Sequence, residues 1–158
     1  MLGVGFLSNL FFTSHTFGQV RITVTGDCFL TYDVTDLASG AGSDFNRTKR
    51  TDRGDVILEI KGAKINPPFR NWSVDVHKTD GVWGATWTLD VKLTNDGRGN
   101  GTINRDTSWH LLSDVPFNLF SGSGNRTNLK PRYRLREVSV QDGIGVFTTT
   151  VTYTITEI

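Results

Sequence analysis

From Phe147 to Thr156 the chain alternates with a period of two. One phase carries Phe147, Val151, Tyr153 and Ile155, and the other phase carries only threonine. This period places the two sets on opposite faces of a β-strand, one buried and one facing water. A helix would mix the two sets, because it repeats every 3.6 residues. A strand with one apolar face needs a second layer to cover it, so this segment already points to packed sheets.

The same alternation recurs along the chain. Clear strand signals lie at 20–24, 28–32, 56–60, 72–76, 87–93 and 129–135, and weaker signals lie at 108–112 and 116–120. Residues 38–55 are rich in Gly, Ser and Asp, which predicts a long loop. Trp72 and Trp87 share the phase of aliphatic neighbours and are therefore predicted to lie in the core.

We find no amphipathic helical pattern, and the strand signals are separated by glycine-rich turns. Many strands with one polar face each are typical of an antiparallel sandwich. The sequence therefore predicts an all-β fold, an antiparallel immunoglobulin-like β-sandwich of the jelly-roll or Greek-key type. We expect one such domain over residues 19–158, preceded by an apolar N-terminal arm over residues 1–18.

The arm carries no Lys, Arg, Asp or Glu and has two interpretations. It is a secretory signal peptide if Gly3–Phe12 is the apolar core and cleavage follows Gly18, leaving Gln19 first. It is a donor strand if its alternating apolar residues pack on a neighbouring subunit; these residues are Leu2, Val4, Phe6, Leu10 and Phe12. Both interpretations place the protein outside the cytoplasm. The apolar run is too short to span a membrane as a helix, and we predict no transmembrane span in this chain.

The net charge and the cysteine content limit the kinds of partner and of covalent bond that we expect for this chain. The net charge of +1 gives no overall attraction to nucleic acid or to an anionic membrane. Cys28 is the single cysteine, so the chain forms no internal disulfide, and we expect Cys28 to be a small buried residue. An intermolecular disulfide is the alternative role for Cys28.

No catalytic or metal-binding pattern stands out. The histidines His15, His77 and His110 show no local spacing that would pair them, and we expect His77 to face solvent. The loop that begins at Asp96 resembles the start of a calcium loop, but Arg98 at its third position would repel a cation. The sequence therefore predicts a glycine-rich hairpin there, and a protein without catalytic residues, metal or cofactor.

Two sets of residues are candidates for a ligand or partner surface. Lys130, Arg132, Arg134 and Arg136 fall on alternate positions of one predicted strand, so they project from one sheet face as a basic stripe. Trp83 and Trp109 lie outside the apolar phases and are candidates for sugar stacking. The alternative is an ordinary solvated face, with carboxylates on the neighbouring strand.

Four N-x-[ST] sequons mark possible glycosylation sites. They begin at Asn46, Asn71, Asn100 and Asn125. Three of them lie in predicted loops, which suits glycosylation of a surface protein.

The C-terminal third of the chain supplies a resemblance. Residues 122–124 read Gly-Ser-Gly, and residues 143–155 read Gly-Ile-Gly-Val-Phe-Thr-Thr-Thr-Val-Thr-Tyr-Thr-Ile. This pattern resembles the closing strands of the bacterial spore-coat-protein-U and fimbrial-subunit group. Residues 85–89, Ala-Thr-Trp-Thr-Leu, are also similar to the W-x-L motif of Gram-positive cell-wall-binding domains. The resemblance implies an extracellular bacterial β-sandwich, often a filament subunit that a neighbour's strand completes.

These observations together predict a structural subunit of an extracellular filament, similar to a pilus or fimbria, or of a surface layer. Such a subunit would assemble with copies of itself by adding its N-terminal arm to the sheet of a neighbour. The alternative is a secreted β-sandwich module that binds glycan or cell wall. Neither interpretation requires nucleic acid as a partner.

Overall fold

The computed structural model describes residues 4–7, 20–28, 30–40, 42–45, 48–51, 55–63, 68–84, 86–142 and 145–158, with residues 4–7 described as backbone. Fourteen strands lie in these ranges. In chain order they are β1 (Val4–Leu7), β2 (Arg21–Thr25), β3 (Thr31–Tyr32), β4 (Thr48–Arg50), β5 (Ile57–Lys61), β6 (Asn71–Asp80), β7 (Thr88–Leu93), β8 (Arg98–Gly99), β9 (Ile103–Arg105), β10 (His110–Leu111), β11 (Phe117–Ser123), β12 (Arg126–Leu129), β13 (Pro131–Arg136) and β14 (Val146–Glu157). The helical content of these residues is two short 3₁₀ turns, Val34–Asp36 and Val140–Asp142.

Sheet one contains six strands in the order β3-β1-β14-β6-β11-β9. Its centre is the long antiparallel pair of β14 and β6, which runs from Thr149 opposite Asp80 to Glu157 opposite Trp72. Much of each strand alternates between apolar and polar residues, from Trp72 to His77 in β6 and from Val151 to Thr156 in β14. β11 continues the sheet on the other side of β6, with one shift in register between Asn118 and Phe120.

The opposite layer is built from sheet two, in the order β10-β7-β13-β4, and sheet three, in the order β2-β5-β12-β8. The two sheets join where β12 passes into β13 through Lys130. At this junction the backbone N–H of Thr94 donates to the carbonyl of Lys130 at 3.0 Å, so the ladder continues across it. The protein is thus an all-β sandwich, as the alternation predicted.

The core lies between the two layers. β6 contributes Trp72, Val74 and Val76, all fully buried, and β7 contributes Leu89, Val91 and Leu93 from the opposite layer. Two buried hydroxyl groups bridge the layers, since the Tyr133 and Tyr153 oxygens lie 2.6 Å apart. Trp87 and Cys28 are also buried, which confirms the sequence-based predictions for Trp72, Trp87 and Cys28.

The structure differs from the predicted strand pattern in two places. β4 lies inside the segment 38–55 that was predicted to be a loop, because its residues pair with the edge of β13 despite having no apolar alternation. β1 runs parallel to β14, although all other strand pairs among the described residues are antiparallel. No short hairpin joins these two strands, so no turn imposes an antiparallel direction on them.

Candidate functional site

The first candidate site is a slot in sheet one between β3 and β14, which we call the strand slot. β1 occupies it and pairs with both sides. Gly5, Phe6 and Leu7 lie opposite Val146, Phe147 and Thr148 of β14. On the other side, Val4 and Gly5 lie opposite Tyr32 and Thr31 of β3. A short extended segment thus connects the last strand of the chain to one of its first strands.

The edge of β14 extends well beyond β1. From Thr149 to Glu157, β14 pairs with β6 on one side. On the side that β1 occupies, no strand among the described residues pairs with β14 after Thr148. Unpaired backbone groups at the edge of a sheet are a template for a further strand.

The residues predicted for the donor arm divide into two groups. Val4 and Phe6 lie in β1, within the strand slot. Leu2, Leu10 and Phe12 lie outside the described residues.

The second candidate site is the outer side of sheet two. Along β13, Pro131, Tyr133 and Leu135 are buried toward the core, and the arginines between them are half-buried on the opposite side. The predicted stripe of Lys130, Arg132, Arg134 and Arg136 therefore has the alternating position that the sequence indicated. We define the basic face as Arg132, Arg134 and Arg136 of β13 together with Lys92 of β7 and Arg50 of β4.

A buried carboxylate anchors two of these arginines. Asp90 of β7 is only 2% exposed, and its Oδ2 accepts hydrogen bonds from Arg134 Nε at 2.7 Å and from Arg136 Nε at 2.8 Å. The hydrogen bond to Asp90 raises the pKa of the Arg136 guanidinium above its ordinary value. Arg132 is held differently, because its Nε donates to the carbonyl of Thr51 at 2.7 Å. Hydrogen bonds therefore hold the three arginine side chains of β13 in place.

Trp109 lies across the basic face. The centroid of its ring is 4.6 Å from Arg134 Cζ, 4.8 Å from Lys92 Nζ and 5.9 Å from Arg50 Cζ. These cations come from three adjacent strands, so the indole spans the width of the sheet. Distances below about 6 Å permit cation–π attraction, which holds the ring against the charged side chains. Trp109 itself is half-buried and keeps part of its surface accessible.

Sequence reasoning identified Trp109 and the arginines of β13 but missed Arg50 and Lys92. Lys92 stood on the polar phase of a predicted strand, and Arg50 stood in a predicted loop. The available signal was their charge alone, since no pattern indicated that β4 and β7 flank β13.

Trp83 lies elsewhere, next to Trp87 at the beginning of β7. The two rings are 5.6 Å apart and nearly perpendicular, and Trp83 Nε1 donates to the carbonyl of Trp87 at 3.1 Å. Lys78 Nζ lies 5.0 Å from the Trp83 ring and forms a salt bridge with Asp80. A cleft of about 360 Å³ opens beside Lys78 and Asp80. Trp83 thus packs in an aromatic cluster with Trp87, and it does not lie on the basic face with Trp109.

The sequons occupy different environments. Asn71 and Asn100 are exposed, so both are accessible to modification. Asn125 is half-buried, and its Oδ1 accepts a hydrogen bond from the backbone N–H of Ala63 at 2.9 Å. Asn46 lies outside the described residues.

The titratable groups show no grouping that indicates metal chemistry. Among the described residues, no cluster of three His, Cys, Asp or Glu side chains is placed to hold a metal ion. His110 Nε2 lies 3.2 Å from Asp106 Oδ2, and its ring packs 5.5 Å from that of Phe117. His77 is half-buried on the outer side of β6. Among the described residues, no helix is long and apolar enough to cross a membrane.

Two comparisons with known proteins found no relative of this chain. No model of a known protein family matches the chain, and no curated protein is significantly similar to it in sequence.

Proposed function

We propose that the protein is a structural subunit of an extracellular filament or surface layer, in which the arm of one copy completes sheet one of the next. The observation that carries this proposal is the strand slot, which receives an N-terminal segment beside β14. Strand addition requires an open sheet edge and an extended apolar segment to fill it. The chain supplies the edge in β14 and the segment in residues 1–18.

The register of β1 supports a longer arm in the same slot. Leu7 lies opposite Thr148, so an arm that continued in this register would bring Leu10 opposite Val151 and Phe12 opposite Tyr153. Val151 and Tyr153 are buried on the core side of β14. Residues directly opposite in a parallel pair share one face of the sheet, so these apolar residues of the arm would face the core too.

Exchange of the arm between copies needs no new contacts. A neighbour's arm in the strand slot would make the same backbone pairs that β1 makes within one chain, as in domain swapping. If the arm pairs with β14 as far as Phe12, residues 13–19 join it to Val20 and, fully extended, span about 23 Å. A head-to-tail exchange that does not close into a ring produces a filament.

Deletion of the arm tests the assembly. Removing residues 1–13 should convert the secreted protein into soluble monomers, because the strand slot of each copy then lacks its donor. Negative-stain electron microscopy and size-exclusion chromatography measure the result. Normal assembly of the deletion variant would contradict the proposal.

A disulfide distinguishes exchange between copies from closure within one copy. Gly5 and Val146 are register partners on adjacent strands, where Cα atoms are about 4.8 Å apart, within disulfide range. Gly5→Cys and Val146→Cys, combined with Cys28→Ala, should give a ladder of covalent multimers after oxidation. A cross-linked monomer alone would contradict exchange. An intact mass that begins at Gln19 would identify the arm as a signal peptide and refute the donor strand.

A further inference from the structure

Like charges lie directly opposite each other on the basic face. In the pairing of β13, Arg132 lies directly opposite Lys92 and Arg134 lies directly opposite Arg50. Like charges directly opposite each other on adjacent strands destabilise a sheet. The five cations and Asp90 together carry a formal charge of +4. A surface that keeps such pairs next to one another is suited to receive negative charge from outside the chain.

Asp90 does not oppose an incoming anion. Its carboxylate is almost completely buried, and its oxygens accept hydrogen bonds from Arg134 and Arg136. An anion that approaches from solvent therefore meets the guanidinium groups first. Asp90 fixes the direction of these groups, which lowers the entropic cost of binding.

Trp109 adds a flat apolar surface in the middle of this charge. An indole ring packs well on the C–H face of a sugar ring, because both surfaces are flat and weakly polar. Arg134, Lys92 and Arg50 lie over the Trp109 ring within 6 Å of its centroid, so the aromatic surface and the cations fall within the span of one or two sugar units. The combination of one aromatic ring and surrounding cations matches a polymer that has sugar rings and negative charges together.

We propose that the basic face binds an acidic polysaccharide, with Trp109 packing on a sugar ring and the cations pairing with its carboxylates or sulfates. The basic face runs across three adjacent strands of sheet two, which suits an extended chain. The Cα atoms of alternate residues of β13 are about 6.6 Å apart, and adjacent strands are about 4.8 Å apart, so an extended polymer can contact several of these side chains at once. Proteins that bind single-stranded nucleic acid stack successive bases on several aromatic rings. Among the described residues, the basic face has one such ring, Trp109, which favours a polysaccharide over a single-stranded nucleic acid.

This binding site is independent of the proposed assembly. The strand slot lies in sheet one and the basic face lies on the opposite layer, so each can be altered without touching the other. If subunits do assemble, the repeated basic faces would bind one polymer with increased avidity. Affinity of a single subunit for the polymer is therefore the quantity to measure.

Affinity for polygalacturonate, a polymer of uronic acids, tests the proposal in the full-length chain immobilised as single subunits. We expect binding at low salt that weakens as salt rises. Trp109→Ala should lose roughly tenfold or more in affinity, as base–aromatic stacking losses of similar chemistry suggest. Arg50→Ala and Lys92→Ala should each lose roughly three- to tenfold in affinity. In each variant the slope of the logarithm of the binding constant against the logarithm of the salt concentration should become shallower by about one. Lys92→Arg should keep the wild-type affinity.

The matched control is Arg98→Ala on exposed β8 of sheet three, which removes the same charge outside the basic face and should leave the affinity unchanged. Unaltered urea midpoints verify that each variant is folded. Three outcomes would overturn the proposal. These are failure of the wild-type chain to bind the polymer at low salt, equal losses in Arg98→Ala and Arg50→Ala, and binding of a single-stranded DNA oligonucleotide as tightly as polygalacturonate.

Discussion

The pair of buried hydroxyl groups between the two layers leads to a quantitative prediction. Tyr133 of β13 and Tyr153 of β14 are 3% and 4% exposed, and their oxygens are 2.6 Å apart. Replacing Tyr153 by Phe removes one hydroxyl and leaves the other without this partner in the core. A buried polar group that loses its partner costs about 1–3 kcal/mol. We therefore expect Tyr153→Phe, and equally Tyr133→Phe, to lower the free energy of unfolding by about 1–3 kcal/mol.

The double variant should recover most of this loss. Removing both hydroxyl groups leaves no unsatisfied group, so the double variant should lie within about 1 kcal/mol of the wild type. In a domain of this size, 1 kcal/mol shifts the Tm by about 2–4 °C, so each single variant should melt visibly earlier. Urea unfolding followed by tryptophan fluorescence gives the four free energies of the double-mutant cycle.

Tyr32→Phe is the matched control. The Tyr32 hydroxyl is also buried, but it has no hydrogen-bond partner among the described residues. Removing it should leave stability unchanged or raise it slightly, since the folded chain no longer buries an unsatisfied group. Additive losses in the double variant, or a loss in Tyr32→Phe as large as in Tyr153→Phe, would refute the reasoning.

Two further predictions concern pH and charge. Burial raises the pKa of the Cys28 thiol to about 12, and burial also raises the pKa of all three tyrosines, so these groups stay protonated in the folded chain. In the unfolded chain the thiol ionises from about pH 8.5 and the tyrosines from about pH 10. The free energy of unfolding should therefore fall above about pH 9, by about 1.4 kcal/mol per pH unit for the thiol, and more steeply above pH 10. Urea titrations from pH 7 to 10.5 check this, and Cys28→Ala should remove about half of the decline between pH 9 and 10, where the tyrosines of the unfolded chain also begin to ionise. Asp90→Asn should destabilise the fold by about 2–4 kcal/mol, because Arg134 and Arg136 lose a buried carboxylate, and it should weaken the binding of polygalacturonate, because the two guanidinium groups are no longer fixed. Parallel urea and binding titrations of this variant would contradict the anchoring role of Asp90 if stability were unchanged.

The strands of the sandwich could be predicted because their alternation is a local property. β6 and β7 each bury the phase that carries their aliphatic residues, and Trp72 lies in that phase of β6. A local pattern also reveals an exception. Lys78 stands in the apolar phase of β6, and the structure buries it beside Asp80, where a salt bridge offsets the cost of burying its charge.

The neighbours of each strand could not be predicted in the same way, because sheet order depends on how distant segments close on one another. Arg50 and Lys92 flank β13 only after β4 and β7 have paired with it. The placement of β1 beside β14 likewise joins the two ends of the sequence. The sequence therefore revealed the three arginines of the basic face, while its other two cations and the strand slot required the tertiary structure.

The parallel direction of β1 and β14 has a mechanical consequence. Hydrogen bonds between parallel strands are evenly spaced and run from one strand to the other at a slant to the strand axis. Tension along an arm seated in this direction would therefore load all of these bonds together in shear, and would not peel them apart one at a time. A joint of this geometry fails only when the whole ladder slips, so its strength grows with the number of paired residues. Each further residue of the arm that pairs with the open edge of β14 would raise the force that the joint withstands.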